Sequence, residues 1–373
     1  MVEWKKLGEV CSFNRGKTIT AKDAIAGTIP VIAGGQTPSY FHNESNRTGE
    51  SITVAGSGAY AGYVAYWDQP IFVSDAFTVD PFDSLKHKYL FYWLKMNQQK
   101  LFSTQKGAGV PHVHGKDIAG FIIPVPSLSE QLRIVSILDT FTDSIENLKQ
   151  QIEQRRKQYN CIIDKLFYFD KYKLLEAAKR GEVQVKTMDE IGTFTRGRRF
   201  VRTDIVPVGV PCIHYGDMYT YYGVWTDKTP TFLTKEKAEK LRFANYGDVV
   251  IVAAGENDID IGVGVAWLGK EKVVVHDACF IYKHEMNPKY ISYFLRSMNY
   301  HLQIRMGVVD GKICSISAKE LGRTLIPVPS LEEQSRIVSI LDTFEASIAN
   351  LEEQLKLREK QYEYYRNKLL TFE

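Results

Sequence analysis

The chain is poor in cysteine, in long apolar runs and in net charge, and each shortage narrows what it can be. Its five cysteines, Cys11, Cys161, Cys212, Cys279 and Cys314, are odd in number and contain no Cys-x-x-Cys pair. That pattern argues for reduced thiols and a cytoplasmic protein, not a disulfide scaffold. No stretch reaches eighteen apolar residues, and Met1-Val2-Glu3-Trp4-Lys5-Lys6 lacks a signal-peptide core, so neither membrane insertion nor secretion is expected. Lys and Arg number 47 against 44 Asp and Glu, a formal charge of only +3. With 373 residues, 44% of them hydrophobic, the chain can fill two ordinary cores.

Motifs for chemistry are equally scarce. Gly16-Lys17-Thr18 has the tail of a phosphate-binding loop, but Cys11 stands where its first glycine belongs. Gly56-x-Gly58, followed by Ala61 and Gly62, runs into a strand-like segment instead of a helix and fails as a dinucleotide fingerprint. Asp75 and Asp277 recur in both halves of the chain, but no partner acid, base or metal cluster recurs with them, so a structural role at a shared turn is expected. No catalytic residue, metal or cofactor is assigned.

What the chain does contain is a repetition. Pro124-Val125-Pro126-Ser127-Leu128 and the following Glu130-Gln131 return as Pro327-Val328-Pro329-Ser330-Leu331 and Glu333-Gln334, and Arg133 to Phe141 returns unchanged as Arg336 to Phe344. At this shift of 203, 27 of 44 positions are identical, so the chain is a tandem duplication. Upstream the likeness decays: Arg15-Gly16-Lys17 answers to Arg196-Gly197-Arg198, and Tyr89 to Leu94 answers to Tyr290 to Leu295. Two divergent halves are each followed by a nearly identical segment.

The similar segments read as long helices. Ile134, Leu138, Phe141, Ile145, Leu148 and Ile152 step in a 4-3-4-3-4 rhythm, repeated by Ile337, Leu341, Phe344, Ile348, Leu351 and Leu355. Ser127-x-x-Glu130 and Ser330-x-x-Glu333 predict capping boxes at their starts. Each helix should run about 40 residues, about 60 Å, to Phe167 and Leu370. The stripes outrun what one small domain can cover, so the two helices are expected to pair antiparallel about a pseudo-two-fold axis, a rigid bar with a globular unit at each end. Arg155 and Arg358 interrupt the seams and should set register.

In the globular halves, runs such as Ser51 to Ala55, Gly62 to Trp67 and Ile71 to Val73 read as strands, as do Asp248 to Val252 and Val263 to Trp267 in the second half. One amphipathic helix is expected in each, about 87–105 and 288–306. The predicted fold is α+β: two α/β globular domains on largely antiparallel sheets or barrels, joined by two long antiparallel coiled-coil helices.

This organisation, with Ile123 to Gln131 and Ile326 to Gln334 opening the helices, resembles the specificity subunit of type I restriction-modification systems over the whole chain. Ser127 and Ser330 stand where the family often has a second proline. The resemblance implies a non-catalytic subunit with target-recognition domains at 1–123 and 171–326 and helical spacers at 124–170 and 327–373. Each domain would read one half of a split double-stranded DNA target. The helices would set the gap and dock two methyltransferase subunits, with restriction subunits joining through the complex. Consistent with this, no Asn-Pro-Pro-Tyr-like or Asp-Pro-Pro-Tyr-like tetrapeptide of an amino-methyltransferase occurs. The charge is mild for an isolated duplex binder, with a pI near 8.4; the resemblance accommodates this, since a methyltransferase partner can supply much of the phosphate contact. A DNA reader of another restriction-modification type shares the same physics. A coiled-coil scaffold without DNA leaves the divergence of only the globular halves unexplained.

The family's recognition residues vary, so candidates come from local chemistry. The strongest is Arg196, Arg198, Arg199 and Arg202 around one turn, with Arg15 and Lys17 as its weaker twin; arginine suits guanine or phosphate, and the competing reading is a solvated structural turn. Polar loops at matching places follow: Gln36 and Thr37 with His214, Tyr215 and Asp217, then Ser57 and Tyr60 with Glu256 and Asn257. A third pair precedes the long helices, Lys106, His112 and His114 against Lys312 and Ser315. His112 and His114, two apart on an extended segment, could ligate a metal, but base or phosphate contact, or a plain turn, is expected instead.

Overall fold

A computed structural model of the chain describes residues 2–107, 109–167, 184–256 and 258–372. It divides into two compact units that do not follow chain order. One comprises Met1–Gln150 with Glu352–Glu373, the other Gln151–Leu351. Each therefore combines one globular domain with a portion of both long helices.

Each domain is closed by its own ends. In the first, Glu3–Lys6 pairs antiparallel with Ile122–Val125; in the second, Gln184–Thr187 pairs with Leu325–Val328. The first domain has a four-stranded antiparallel sheet ordered Cys11–Arg15, Ala76–Pro81, Glu50–Ala55 and Val64–Asp68. Gly192–Arg196, Cys279–His284, Val249–Val252 and Gly264–Trp267 repeat that order in the second domain, which adds Trp225–Thr226 as a parallel edge. The other sheet has diverged further. It has three strands in the first domain, Tyr40–His42, Ile29–Ile32 and Phe72–Val73, and five in the second. One pair in each is parallel, Ile29–Ile32 with Phe72–Val73 and Val210–Ile213 with Val273–Val275.

The strands read as near-continuous apolar runs because both faces are covered. Ile52 and Val54 are fully buried, and Tyr89, Leu90, Trp93 and Leu94 of the helix His87–Met96 pack in the same core. The single helix expected in each half is two helices. His87–Met96 stops at Asn97, whose side chain donates to the Trp93 carbonyl at 2.9 Å before Gln98–Phe102 begins. Pro288–Phe294 is likewise separated from Met298–Ile304, where Ser297 caps the new helix by accepting from the Tyr300 amide at 3.3 Å. In both, a short polar side chain satisfies a backbone group that an unbroken helix would pair internally.

The long helices span Leu128–Phe167 and Leu331–Thr371. Only half of each expected capping box forms. Ser127 Oγ accepts from the Glu130 amide at 3.4 Å and Ser330 Oγ from the Glu333 amide at 3.2 Å, but both glutamates turn forward to Arg133 and Arg336. The neighbouring glutamines do the fastening. Gln131, fully buried, accepts from the Lys86 amide at 2.8 Å and donates to the Ser84 and Pro126 carbonyls at 2.8 and 2.9 Å. Gln334 accepts from the Asn287 amide and donates to the Pro329 carbonyl, both at 2.8 Å. Lower down, Asp139 receives Lys88 and Tyr92 at 2.8 and 2.5 Å, as Asp342 receives Lys289 and Tyr293 at 2.8 and 2.7 Å.

The apolar stripe is shared between two tasks. Ile134 and Leu138 enter the first domain's core together with Leu370 from the far end of the other helix; Ile337 and Leu341 enter the second core with Ile163 and Phe167. Leu148 and Ile152 are buried, and Phe141, Ile145, Phe344, Ile348, Leu351 and Leu355 are half-buried. The seam arginines lie over aromatic rings of the opposite helix, Arg358 at 5.8 Å from Phe141 and Arg155 at 5.6 Å from Phe344. Since one partner rises in number as the other falls, the helices run antiparallel, and the two contacts are related by the repeat.

Candidate nucleic-acid interface

In the first domain the strand and turn geometry gathers several candidate loops. Gly16 follows Arg15 so closely beneath the next strand that a Cβ there would lie 2.3 Å from the Ser74 carbonyl oxygen. Gly34 is as tight, with a Cβ position 2.3 Å from the Ser57 carbonyl oxygen, so the loop carrying exposed Gln36 and Thr37 abuts the loop carrying Ser57 and exposed Tyr60. That second loop meets the third: the Gly58 amide donates to the Pro111 carbonyl and the Val113 amide to the Gly56 carbonyl, both at 3.0 Å. Lys106 and His112 exchange backbone hydrogen bonds at 3.0 and 2.8 Å, and the His112 and His114 rings stack 6.3 Å apart. Arg15, His112 and His114 line one cleft of about 400 Å³.

Not every candidate is available there. Lys106 forms an ion pair with Asp117, whose carboxyl that lysine holds below the usual range. Lys17 is exposed, its amide bonded to the Val73 carbonyl at 2.9 Å.

The second domain assembles a different surface. Gly197 repeats the close approach of Gly16, with a Cβ position 2.2 Å from the His276 carbonyl oxygen. Arg196 donates through Nε to the Asp277 carbonyl at 2.8 Å and Arg198 through Nη1 to the Lys240 carbonyl at 2.9 Å. Arg199 and Arg202 are exposed, and their side chains have no hydrogen-bond or ion-pair partner among the described residues. The expected quartet thus separates into two arginines holding backbone and two facing solvent.

Behind them Phe200 is buried against His276 and His214, at 5.0 and 5.9 Å. The His276 Nδ1 accepts from the Ala278 amide at 3.1 Å, so its Nε2–H donates to the Phe200 carbonyl at 3.0 Å. His214 Nδ1 accepts from the Gly216 amide at 3.2 Å. Burial pushes both imidazoles below the ordinary pKa, against the pull of Asp217 and Asp277, so both are neutral near pH 7. Tyr215 lies beside His214 and His276 at 4.7 and 5.4 Å. Asp217 takes the Thr231 hydroxyl at 3.0 Å and the His214 amide at 3.3 Å, and so holds the turn.

The helix Asp217–Thr220 sets the Tyr219 hydroxyl against Gly255, and Gly255 pairs with Cys314 beside the Ala254–Ser315 pair. Exposed Glu256 and Lys312 thereby border the same loops, and Asn257 lies outside the described residues. Tyr219 and His276 are organising residues that sequence reasoning passed over. The Phe200 to His276 contact spans 76 residues, and no local pattern marks it.

Asp75 and Asp277 each follow the residue that the matched glycine approaches, but the second domain has one residue more before its next strand. Gly56 and Ala253 occupy matched places after their strands, and their amides donate to the carbonyls of Asp75 and Ala278 at 3.1 and 2.8 Å. The Asp75 carboxylate takes the Ser57 hydroxyl, whereas Asp277 sits 3.2 Å from His276 Nδ1. Asp75 holds its loop through its side chain, and Asp277 through its carbonyl, which takes Arg196 Nε.

Comparison with known proteins matches residues 1–154 and 180–358 to the type I restriction modification DNA specificity domain. The chain is similar to the EcoR124I/EcoR124II specificity subunit of Escherichia coli, at 29% identity over all of this chain and 94% of that one. It is also similar to a putative type I specificity subunit of Haemophilus influenzae, at 25% identity over all of this chain and 96% of that one. Among solved structures, the S subunit of a type I restriction-modification system from M. genitalium shares the fold, with a TM-score of 0.63 at 18% identity over 99% of this chain and 96% of that one.

Proposed function

The chain belongs to the type I restriction-modification DNA specificity family, and from that premise we propose that it reads a bipartite, asymmetric DNA target for a methyltransferase that carries out the chemistry. The reading modules are residues 1–123 and 171–326. Residues 124–170 and 327–373 are spacers that set the distance between half-sites and dock two methyltransferase subunits, with restriction subunits recruited through the complex in the cytoplasm.

The observation that carries this reading is the closure of each domain by its own terminal strands, Glu3–Lys6 on Ile122–Val125 and Gln184–Thr187 on Leu325–Val328. A module tied at its base keeps its frame while its loops change, which is what two different half-sites require. The loops meet that requirement: His112 and His114 border one surface, Arg199, Arg202 and Glu256 the other. Arginine pairs with guanine in the major groove and an acidic side chain accepts from cytosine, so the two surfaces would select different bases.

The test is a methylome of cells expressing this chain with its methyltransferase, compared with cells expressing the methyltransferase alone. A split, asymmetric motif present only with this chain is expected. Replacing residues 183–322 by another recognition domain should then change one half of the motif and keep the other. A motif unaffected by the presence of the chain would sink the assignment and favour a scaffold.

A further inference from the structure

Most exposed loops differ between the two domains, yet one exposed arrangement recurs at matched positions. In the first domain, Phe13, Arg15, Phe77 and Lys116 line the same cleft. Arg15 pairs with Phe77 in the sheet, as Arg196 pairs with Phe280 in the second domain. Phe13 and Phe77 meet edge to face at 6.3 Å, and Phe194 and Phe280 at 6.2 Å.

The lysines are placed by a shared backbone contact. The Val113 amide donates to the Gly56 carbonyl at 3.0 Å and the Ile316 amide to the Ala253 carbonyl at 2.9 Å; Lys116 and Lys319 each follow three residues later. Both lysines and Arg15 are exposed, and their side chains have no hydrogen-bond or ion-pair partner among the described residues. Arg196 uses Nε on the Asp277 carbonyl, and its guanidinium lies 6.0 Å from the Phe280 ring. Around these cations the chemistry changes: His112 and His114 stand where the second domain has Ser315 and Ser317, and Asp75 where it has Ala278.

Contacts to bases must differ between domains that read different half-sites, whereas contacts to the phosphodiester backbone are the same wherever a duplex is docked. We propose that Arg15 with Lys116, and Arg196 with Lys319, form a duplicated subsite for phosphodiester oxygens that sets each domain's register on DNA, while the differing neighbours read sequence. This rests on the DNA-reading assignment above. Lys116 and Lys319 extend the interface beyond the loops nominated from sequence.

The experiment uses the full chain assembled with its methyltransferase and two duplexes, one carrying the motif found in the methylome and one with both half-sites scrambled. Binding is measured across a salt series for the wild type, for the double variant Lys116→Gln with Lys319→Gln, and for Lys116→Arg with Lys319→Arg. The Gln variant is expected to weaken both duplexes by the same factor and to lower the slope of log K against log salt by about two, with the methylated motif unchanged and the Arg variant restoring the slope. Loss confined to the cognate duplex, or a changed motif, would make these lysines base readers and overturn the proposal. So would an unchanged slope. Failure of the wild-type assembly to bind either duplex would instead bring down the DNA-reading assignment itself.

Discussion

In the first domain Gln131 ties the long helix to Ser84, Lys86 and Pro126; in the second, Gln334 ties its helix to Asn287 and Pro329. Asp139 with Lys88 and Tyr92, and Asp342 with Lys289 and Tyr293, are a second such pair. The exposed loops behave otherwise: stacked histidines border one surface and solvent-facing arginines over a buried Phe200–His276 plug border the other. Residues that recur mostly have partners inside their own unit, and residues that differ mostly face solvent. Apart from the recurring exposed pairs Arg15–Lys116 and Arg196–Lys319, the likeness between the copies marks where the fold constrains the chain, and the divergence marks where it is free to be used.

The strongest way to break this comparison is to attack a recurring buried position. Leu138→Asp places a carboxylate in the first core and should cost about 4 kcal/mol or more, and Leu341→Asp should do the same to the second unit. Hydrogen exchange read separately over each unit checks this; equal loss of protection in both units from either variant would show that they unfold as one.

Acid should separate the two units. His284, with both ring nitrogens buried and unpartnered among the described residues, is pushed by desolvation from 6.5 to about 4. Its folded-state pKa is depressed, so the unfolded chain takes the proton first. Stability is full above about pH 6.5 and falls as pH drops towards about 4, by up to about 3 kcal/mol. The matched ladder position in the first domain is Pro81, which cannot titrate. Acid unfolding of the second unit should depend less steeply on pH in His284→Phe, with the remainder left to His214, His276 and His301, which desolvation also depresses, and an identical acid profile for both proteins would count against it.

Gln131 makes three side-chain hydrogen bonds and Gln334 two, so Gln131→Ala should cost about 3 kcal/mol and Gln334→Ala about 2. Thermal denaturation reads the difference. The smallest effect separates neighbours within one loop: Arg199→Ala should lower DNA affinity by about 1 to 2 kcal/mol with little change in melting, whereas Arg198→Ala should loosen the contact to Lys240. Equal binding losses would place both guanidiniums on DNA.

Much of the frame was legible in the chain because it rests on short-range patterns. Proline followed by Ser-x-x-Glu set the helix starts, and the apolar rhythm set the buried face. Other features were not legible. Asn97 and Ser297 break helices that the apolar pattern continues through, because a side-chain hydrogen bond outweighs periodicity there. Glu130 and Glu333 have arginine within reach and leave their capping boxes half made. The Arg-rich turn was visible as charge, but its division into Arg196 and Arg198 on backbone and Arg199 and Arg202 in solvent was not.

The amino-acid sequence by itself determined the duplication, the two long helices, the strand-rich domains and the family, since all of these are written in local spacing and self-similarity. Only the tertiary structure decided which glutamine fastens each helix, how each unit combines one domain with portions of both helices, and which loops share a surface. Those outcomes depend on contacts between residues tens to hundreds of positions apart, such as the Tyr159 hydroxyl 3.1 Å from Glu345 across 186 residues. Such contacts form only when burial of one face brings distant chain segments within hydrogen-bond range.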